Sequence, residues 1–466
     1  MKHLIRYNLV FVLLIVFSFT ILNLISQSYL NIPRSYFIYE IFLIIPIAYW
    51  IGPIIGAISL FIFLNLDLIN HIGLLYFHNF FDILTNFKFF STHTYFNYYL
   101  IFQFFLICLS VSFYILIRDI EGRKLKILSM VCLLLSLTTL SMDRYFINHQ
   151  GFEEMLAKNN ISSTSLKNFS NSLFYSFYRD YKELSSTMVL QSSNEYEKAK
   201  NIFYDDILLK NEHEDDNQGN IILIIVESLG FSLDKKVHSF LVDDLKNDNL
   251  NDIYDVKFKN LDAASGSTVT AEFRELCGVK FNDYSSDIID LNCIPRKLKS
   301  KGYEVYAAHP YLNGYFNRRE WWRKIGFSNT FFMTGIKKDS LPTCSGAYKS
   351  LCDDMFFKHV FNNVSERSSP FFLYYLTIEG HLPTKIHSEK DYLKCINQTK
   401  TNRTICGNLI SNKKFLKSVF STLEESKITN TKVYIVGDHV PKSFLLKSKN
   451  IYRDNQVQVI TLKSKL

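Results

Sequence analysis

Charged side chains are sparse before Arg118 and frequent after Arg144, and that division decides what the two parts of the chain can fold into. A hydrocarbon core of ~30 Å takes roughly 20 apolar residues per helix at ~1.5 Å rise per residue. Five runs fit this requirement: Asn8 to Ile25, Tyr36 to Trp50, Ile54 to Leu75, Tyr98 to Ile117 and Leu125 to Met142. The second is short, and Ile51-Gly52-Pro53 turns the chain into the third. The first run ends without a small-residue cleavage site and further spans follow, so it is expected to remain as an anchor.

Basic residues set the orientation. Lys2 and Arg6 precede the first run, and Arg118, Arg123, Lys124 and Lys126 flank the connection between the fourth and fifth. Those ends belong inside, so five crossings leave everything after Met142 outside the cytoplasm. Asn65, Asp67, Asn70 and His71 fall in the third run, where a carboxylate suggests either function or helix-to-helix hydrogen bonding.

The chain as a whole has the composition of a folded protein. Of its 466 residues 48% are hydrophobic and 21% charged, and 52 Lys+Arg against 44 Asp+Glu leave a net charge of only +8. Disorder is excluded by the apolar content, and this charge gives no reason to expect a nucleic-acid partner. Nothing in the sequence signals an oligomeric state. Cys108 and Cys132 lie within spans and are expected to be free. Cys277, Cys293, Cys344, Cys352, Cys395 and Cys406 form an even set on the outside, which suggests disulfides, with pairing of sequence neighbours the simplest connectivity.

The expected organisation is a transmembrane domain over 1–142, a polar juxtamembrane helical linker over 143–219 and a catalytic domain over 220–466. Within the linker, the aromatic and basic stretch Phe174 to Lys182 suits either a membrane interface or packing on its own domain. From Asn220 one pattern recurs. Ile221 to Val226 is a β-type apolar run ending in Glu227-Ser228, and Tyr303 to Ala308 ends in His309. Phe371 to Thr377 leads to Glu379-Gly380-His381, and Lys432 to Val436 leads to Gly437-Asp438-His439. Continuous runs of this kind are strands buried on both faces, and ligands of open α/β sheets bind beyond the carboxyl ends of parallel strands. Helical segments at Ile294 to Ser300 and Lys413 to Ser426 complete a layered α/β domain with a mostly parallel sheet.

Glu227, Asp438 and His439 are oxygen, oxygen and nitrogen ligands of the kind that hold a divalent metal. The segment Ser265 to Leu276 reads as a Gly-containing turn entering a helix, so its hydroxyls stand at a positive helix end that favours phosphate. A Ser/Thr cluster in that place also serves as an ordinary N-cap.

Glu227-Ser228 after a buried strand, Gly266-Ser267-Thr268 followed by Ala271-Glu272-Phe273, and Gly437-Asp438-His439 resemble the lipoteichoic acid synthase and phosphoglycerol transferase group of the alkaline phosphatase/sulfatase superfamily. The resemblance extends to His309, to Phe316-Asn317-Arg318 and to His381. It implies that Thr268 is the nucleophile, with Ser267 and Thr270 as near rivals, and that Glu227, Thr268, Asp438 and His439 ligate one metal, Mn²⁺ before Zn²⁺ or Mg²⁺. It further implies that His309, Phe316, Arg318 and His381 surround the phosphoryl group, His381 as hydrogen-bond partner or proton shuttle. Phe316 stands where the synthases carry Trp, and Tyr311 where a polar or acidic residue would touch a glycerol headgroup.

The expected activity is transfer of phosphoglycerol from a membrane phospholipid to a glycan or glycerophosphate acceptor, at the cytoplasmic membrane of a bacterium. Phosphoethanolamine transfer to lipid A or a glycan is the alternative, and an inactive glycan-binding membrane protein is the alternative of another class. Formylglycine sulfatase chemistry needs a C/S-x-P-x-R frame, and Thr268 to Glu272 has neither the Pro nor the Arg.

Overall fold

The computed structural model describes residues 37–38, 42–76, 96–148, 170–171, 198–210, 219–245, 248–263, 267–280, 291–337, 339–367, 370–382, 384, 388–441 and 451–465. They fall into two compact units, the second holding everything described from Lys198 onward.

The first unit contains α1 (Ile44–Trp50), α2 (Pro53–Tyr76), α3 (Phe96–Arg118) and α4 (Gly122–Asn148). The last three coincide with the third to fifth apolar runs, while the first run lies outside the described residues. Tyr36 to Trp50 is helical only from Ile44. Pro46, which has no N–H to donate, fits the first turn of α1, and Phe37–Ile38 is instead a short strand parallel to Ser170–Asn171. Ile44, Ala48, Leu60, Leu64, Leu106 and Phe113 pack into a common core. Gly56 permits the close approach of α1 and α2, since a Cβ there would stand 2.4 Å from that of Ala48. Among the described residues no helix is long and apolar enough to cross a membrane. The outer faces are nevertheless apolar: among the described residues, every exposed large hydrophobic side chain except Leu233, Met355 and Leu393 belongs to this unit. Asp67 is buried and Asn65 bonds Phe61 O within its own helix at 2.9 Å, whereas the side chains of Asn70 and His71 lie outside the described residues.

The second unit is built on an 8-stranded mixed sheet. Its strands are β1 (Asn220–Val226), β2 (Gly230–Ser232), β3 (Tyr254–Asp262), β4 (Glu304–His309), β5 (Asn329–Phe332), β6 (Phe371–Leu376), β7 (Thr431–Gly437) and β8 (Tyr452–Ser464). Their order is β2-β8-β7-β1-β6-β4-β5, with β3 also paired to β8. The four strands expected from the sequence are neighbours in this sheet and parallel. Register makes their ends level: Val226 lies opposite Gly437, Ile225 opposite Leu376, and Tyr375 opposite Ala308. The side chains that follow these strands therefore emerge at one edge.

Helices cover both faces. Among them are α5 (Phe203–Lys210), α6 (Thr268–Cys277), α7 (Ile294–Ser300), α8 (Arg318–Lys324), α9 (Asp353–Ser365) and α10 (Arg403–Ser426). Alternation along the strands divides the core. Ile222, Ile224, Leu373 and Tyr375 pack with Phe356, Phe357, Phe415 and Leu416. Phe372 stacks on Phe203 and Phe327, and Tyr374 meets Trp322 edge-on. Three disulfides join Cys277 to Cys293, Cys344 to Cys352 and Cys395 to Cys406, the neighbour pairing, while Cys108 and Cys132 are free.

Candidate active site at the strand ends

Ser267 caps α6, its hydroxyl accepting from Thr270 N at 3.4 Å and lying 3.3 Å from Thr270 Oγ1. The two rivals are thus occupied with each other at the helix start. Thr268, the first residue of the helix, directs its hydroxyl to Glu227 Oε2 at 3.1 Å and Asp438 Oδ2 at 2.9 Å.

Glu227 leaves β1 through Ser228, which adopts a left-handed φ of 56°. Such a conformation costs a side-chain-bearing residue on the order of 1 kcal/mol and persists only where its surroundings hold it. Here Ser228 N donates to Asp438 Oδ1 at 2.7 Å, Ser228 Oγ to Glu227 Oε1 at 3.0 Å, and Glu227 N to Thr377 Oγ1 at 2.8 Å. His439 N also donates to Asp438 Oδ1, at 2.6 Å. His439 Nδ1 faces Val440 O at 2.9 Å, and its Nε2 lies 3.3 Å from Asp438 Oδ2 and 3.5 Å from Glu227 Oε1.

The donor atoms of Glu227, Asp438 and His439 lie within 4.8 Å of one another, and the residues are 4%, 2% and 8% exposed. Two buried carboxylates at this spacing are a donor set of the kind that can hold a divalent cation, and the oxygen and nitrogen set with the Thr268 hydroxyl beside it fits Zn²⁺ or Mn²⁺. Cys344, Cys352 and Glu379 are also close together, but their sulfurs are joined in a disulfide and so are not ligands.

A second layer fixes the backbone of this group. Arg274 donates to Asp438 O at 3.1 Å and Gly437 O at 2.9 Å, and its Nε meets Glu275 Oε1 at 2.7 Å. The other oxygen of Glu275 receives the N–H groups of Ile202 and Phe203, at the start of α5. Gly437 must be glycine, because a Cβ there would stand 2.0 Å from Leu229 O.

His309 ends β4, buried, with Nδ1 3.1 Å from Leu376 O and Nε2 lacking a partner. Burial, and then the positive charge of Arg318, hold its pKa well below the ordinary imidazole value, so the ring is neutral. Arg318 is itself buried. Its Nε and Nη2 grip Glu272 Oε2 at 3.1 and 2.9 Å, its Nη1 reaches Tyr315 O at 3.4 Å, and its guanidinium lies 5.2 Å from the Phe316 ring centroid. Phe316 and Asn317, just before it, both have left-handed backbone. Glu272 also receives Trp322 Nε1 and Tyr374 Oη, at 3.0 and 2.9 Å. His381 is half-buried and meets the Tyr348 ring edge-on at 5.2 Å. Gly380, immediately before it, lies so close to Glu227 that a Cβ would stand 2.3 Å from Glu227 O. Tyr311 is buried between Tyr315 and Tyr348, 6.3 Å from His309.

Glu227, Thr268, Asp438 and His439 thus form one cluster, while His309, Phe316, Arg318 and His381 are linked through tyrosine rings. Glu272 enters the sequence reading only within the Ala271-Glu272-Phe273 motif and is given no role there, although it stands one helical turn after Thr268, on the same face. Thr377, Arg274 and Tyr348 gave no comparable signal.

A layered α/β domain with acidic, hydroxyl and imidazole donors at the strand ends defines the alkaline-phosphatase-like class. A family model described as Sulfatase matches residues 219–459, and the chain belongs to that family. No curated protein matches it. Among solved structures, lipoteichoic acid synthase LtaP of Listeria monocytogenes is 17% identical, over 53% of this chain and 65% of that one, with a TM-score of 0.41. Phosphoglycerol transferase GacH of Streptococcus pyogenes, in complex with sn-glycerol-1-phosphate, is 18% identical over 56% and 71%, with a TM-score of 0.36. The integral membrane lipooligosaccharide phosphoethanolamine transferase A of Neisseria meningitidis is 13% identical over 89% and 77%, with a TM-score of 0.49. The match with LtaP thus spans less than two thirds of that protein's length.

Proposed function

We propose that the chain is a membrane-anchored transferase that moves a phosphoglycerol headgroup from a phospholipid to a glycan or glycerophosphate acceptor through a phospho-threonine intermediate. The observation that carries this reading is the Thr268 hydroxyl, 3.1 and 2.9 Å from two carboxylates that are grouped with His439. Glu227, Thr268, Asp438 and His439 would hold a divalent ion, manganese favoured over zinc or magnesium. Such an ion lowers the pKa of a bound hydroxyl and offsets charge on phosphoryl oxygens.

Thr268 Oγ1 forms the new bond to phosphorus as the bond to the diacylglycerol oxygen breaks. The hydroxyl proton passes to one of the two carboxylates it faces, Glu227 Oε2 or Asp438 Oδ2, and returns to Thr268 Oγ1 when the acceptor displaces it. His381 donates a proton to the departing diacylglycerol oxygen and accepts one from the acceptor hydroxyl that later displaces Thr268. Neutral His309 and the Glu272-braced Arg318 give the headgroup side of the site a fixed shape.

The expected division into a five-helix transmembrane domain over 1–142, a linker over 143–219 and an extracytoplasmic catalytic domain over 220–466 forms part of the proposal. It is supported by the apolar outer faces of α2, α3 and α4, and by three disulfides in the domain placed outside. Membrane attachment would confine the site to the level of lipid headgroups.

A second reading, phosphoethanolamine transfer, is favoured by the aromatic group Tyr311, Tyr315, Phe316 and Tyr348, since aromatic faces suit an ammonium headgroup. Incubation of the purified protein with vesicles of defined phospholipids, followed by the adduct mass on Thr268, separates the two. A phosphoglycerol mass is expected. An ethanolamine phosphate mass overturns the donor, and unchanged transfer by Thr268→Ala overturns the nucleophile.

A further inference from the structure

The loop after β6 is held by a device that the proposed chemistry does not use. Asp353, 1% exposed at the start of α9, accepts the N–H of Ile378 on Oδ1 and Oδ2 at 3.2 and 3.0 Å, and that of Glu379 on Oδ2 at 2.7 Å. Glu379 returns the contact, its Oε2 accepting Asp353 N at 2.6 Å. Each carboxyl thus caps the backbone of the other. Three residues beyond Ile378, His381 N donates back to Ile378 O at 3.0 Å, so the turn that carries the imidazole is closed directly on the clamped peptide.

The opposite support comes from the same stretch of chain. Thr343–Ser345 and Lys349–Leu351 form an antiparallel ribbon closed by the Cys344–Cys352 disulfide, and Tyr348 within it lies against the His381 ring. Cys352 immediately precedes Asp353. One covalently closed element therefore holds both the ring and the backbone of His381.

We propose that Asp353 and Glu379 are positioning residues for His381, a reciprocal latch that sets the imidazole over the reacting phosphoryl group. This rests on the role given to His381 above.

The chemistry of the latch is specific. Asp353 uses both carboxyl oxygens as acceptors, whereas Glu379 accepts Asp353 N on Oε2. Burial raises the pKa of both groups, with the charge of Glu379 adding to the effect on Asp353. Asp354 and Lys414, paired at 2.8 Å, face the two carboxyls from α9 and α10, and Tyr375 Oη donates to Asp353 O at 2.8 Å. A protonated Glu379 keeps its acceptor, and glutamine reproduces that form.

The test uses the full chain in lipid nanodiscs with Mn²⁺ and phosphatidylglycerol, reading diacylglycerol release. Glu379→Ala should lower kcat on the order of 10²-fold with KM within about twofold, the scale of a misplaced group. Glu379→Gln should stay within about threefold of the parent, and Mn²⁺ affinity should be unchanged in both. If His381→Ala is impaired while Glu379→Ala is not, the latch is wrong and the function stands. If Glu379→Gln is as damaged as Glu379→Ala, or Mn²⁺ binding falls with kcat, the pair is merely structural and the proposal is overturned. Parent-like turnover by His381→Ala overturns the role of His381 and the latch together.

Discussion

Thr268 and Asp438, 170 positions apart, meet through a hydrogen bond of 2.9 Å between Oγ1 and Oδ2. The helix start and the end of β7 must both be in place for that contact. Thr268→Ala should reduce diacylglycerol release by at least about 10⁴-fold, as loss of a nucleophile does, and Thr268→Ser should retain part of it. Both variants should keep the melting temperature within a few degrees of the parent.

Loading with Mn²⁺ should stabilise the folded chain, because the ion binds a donor set that exists only after folding. At about 100 times its dissociation constant the gain is about 2.7 kcal/mol, and EDTA should remove it. Glu227→Gln and Asp438→Asn should abolish the shift in calorimetric scans.

Arg318 and Glu272 are 1% and 0% exposed, and neither carries its charge into water. Removing one partner strands the other, so Arg318→Ala should cost about 3–5 kcal/mol. Adding Glu272→Leu to Arg318→Met should recover only part of that loss in thermal unfolding, because Trp322 Nε1 and Tyr374 Oη lose their acceptor, while transfer stays low.

The Asp353 and Glu379 carboxyls are raised above their ordinary values of 3.8 and 4.5. The folded state therefore holds protons that the unfolded chain has released, and stability falls as pH climbs from those values through the folded ones. Asp353→Asn cannot ionise and should flatten this fall. Melting temperatures taken from about pH 4 to about pH 8 would show it.

The Cys277–Cys293 disulfide ties the end of α6 to the start of α7 across 16 positions. Replacing both cysteines with serine should cost about 3 kcal/mol, the scale for a loop of that length. Because α6 begins with Thr268, turnover at raised temperature should fail before that of the parent.

Strands and their terminal residues were legible because β1, β6 and β7 are buried on both faces, which forces continuous apolar runs that stop where chemistry begins. Tertiary pairing was not. Nothing in Glu272 itself distinguishes an exposed helix carboxylate from the brace of Arg318, and the return of β8 antiparallel to β7 depends on sheet topology rather than local pattern. The start of α10 at Arg403, ahead of the expected Lys413, follows from its Asn402 cap, whose side chain accepts from Ile405 N at 2.9 Å. Asp353 gives no signal in the sequence, and Glu379 stands out there only as a residue following a strand, since only folding reveals that each faces a peptide N–H.

The level register of β1, β6, β4 and β7 carries a last implication. Glu227, His309, Asp438 and His439 follow strands at the centre of the sheet, while Tyr311, Tyr315, Phe316 and Tyr348 sit on connections beyond it. Under the proposed function, descendants of such a molecule are free to exchange the rings, yet any change in the central register would pull the donor cluster apart.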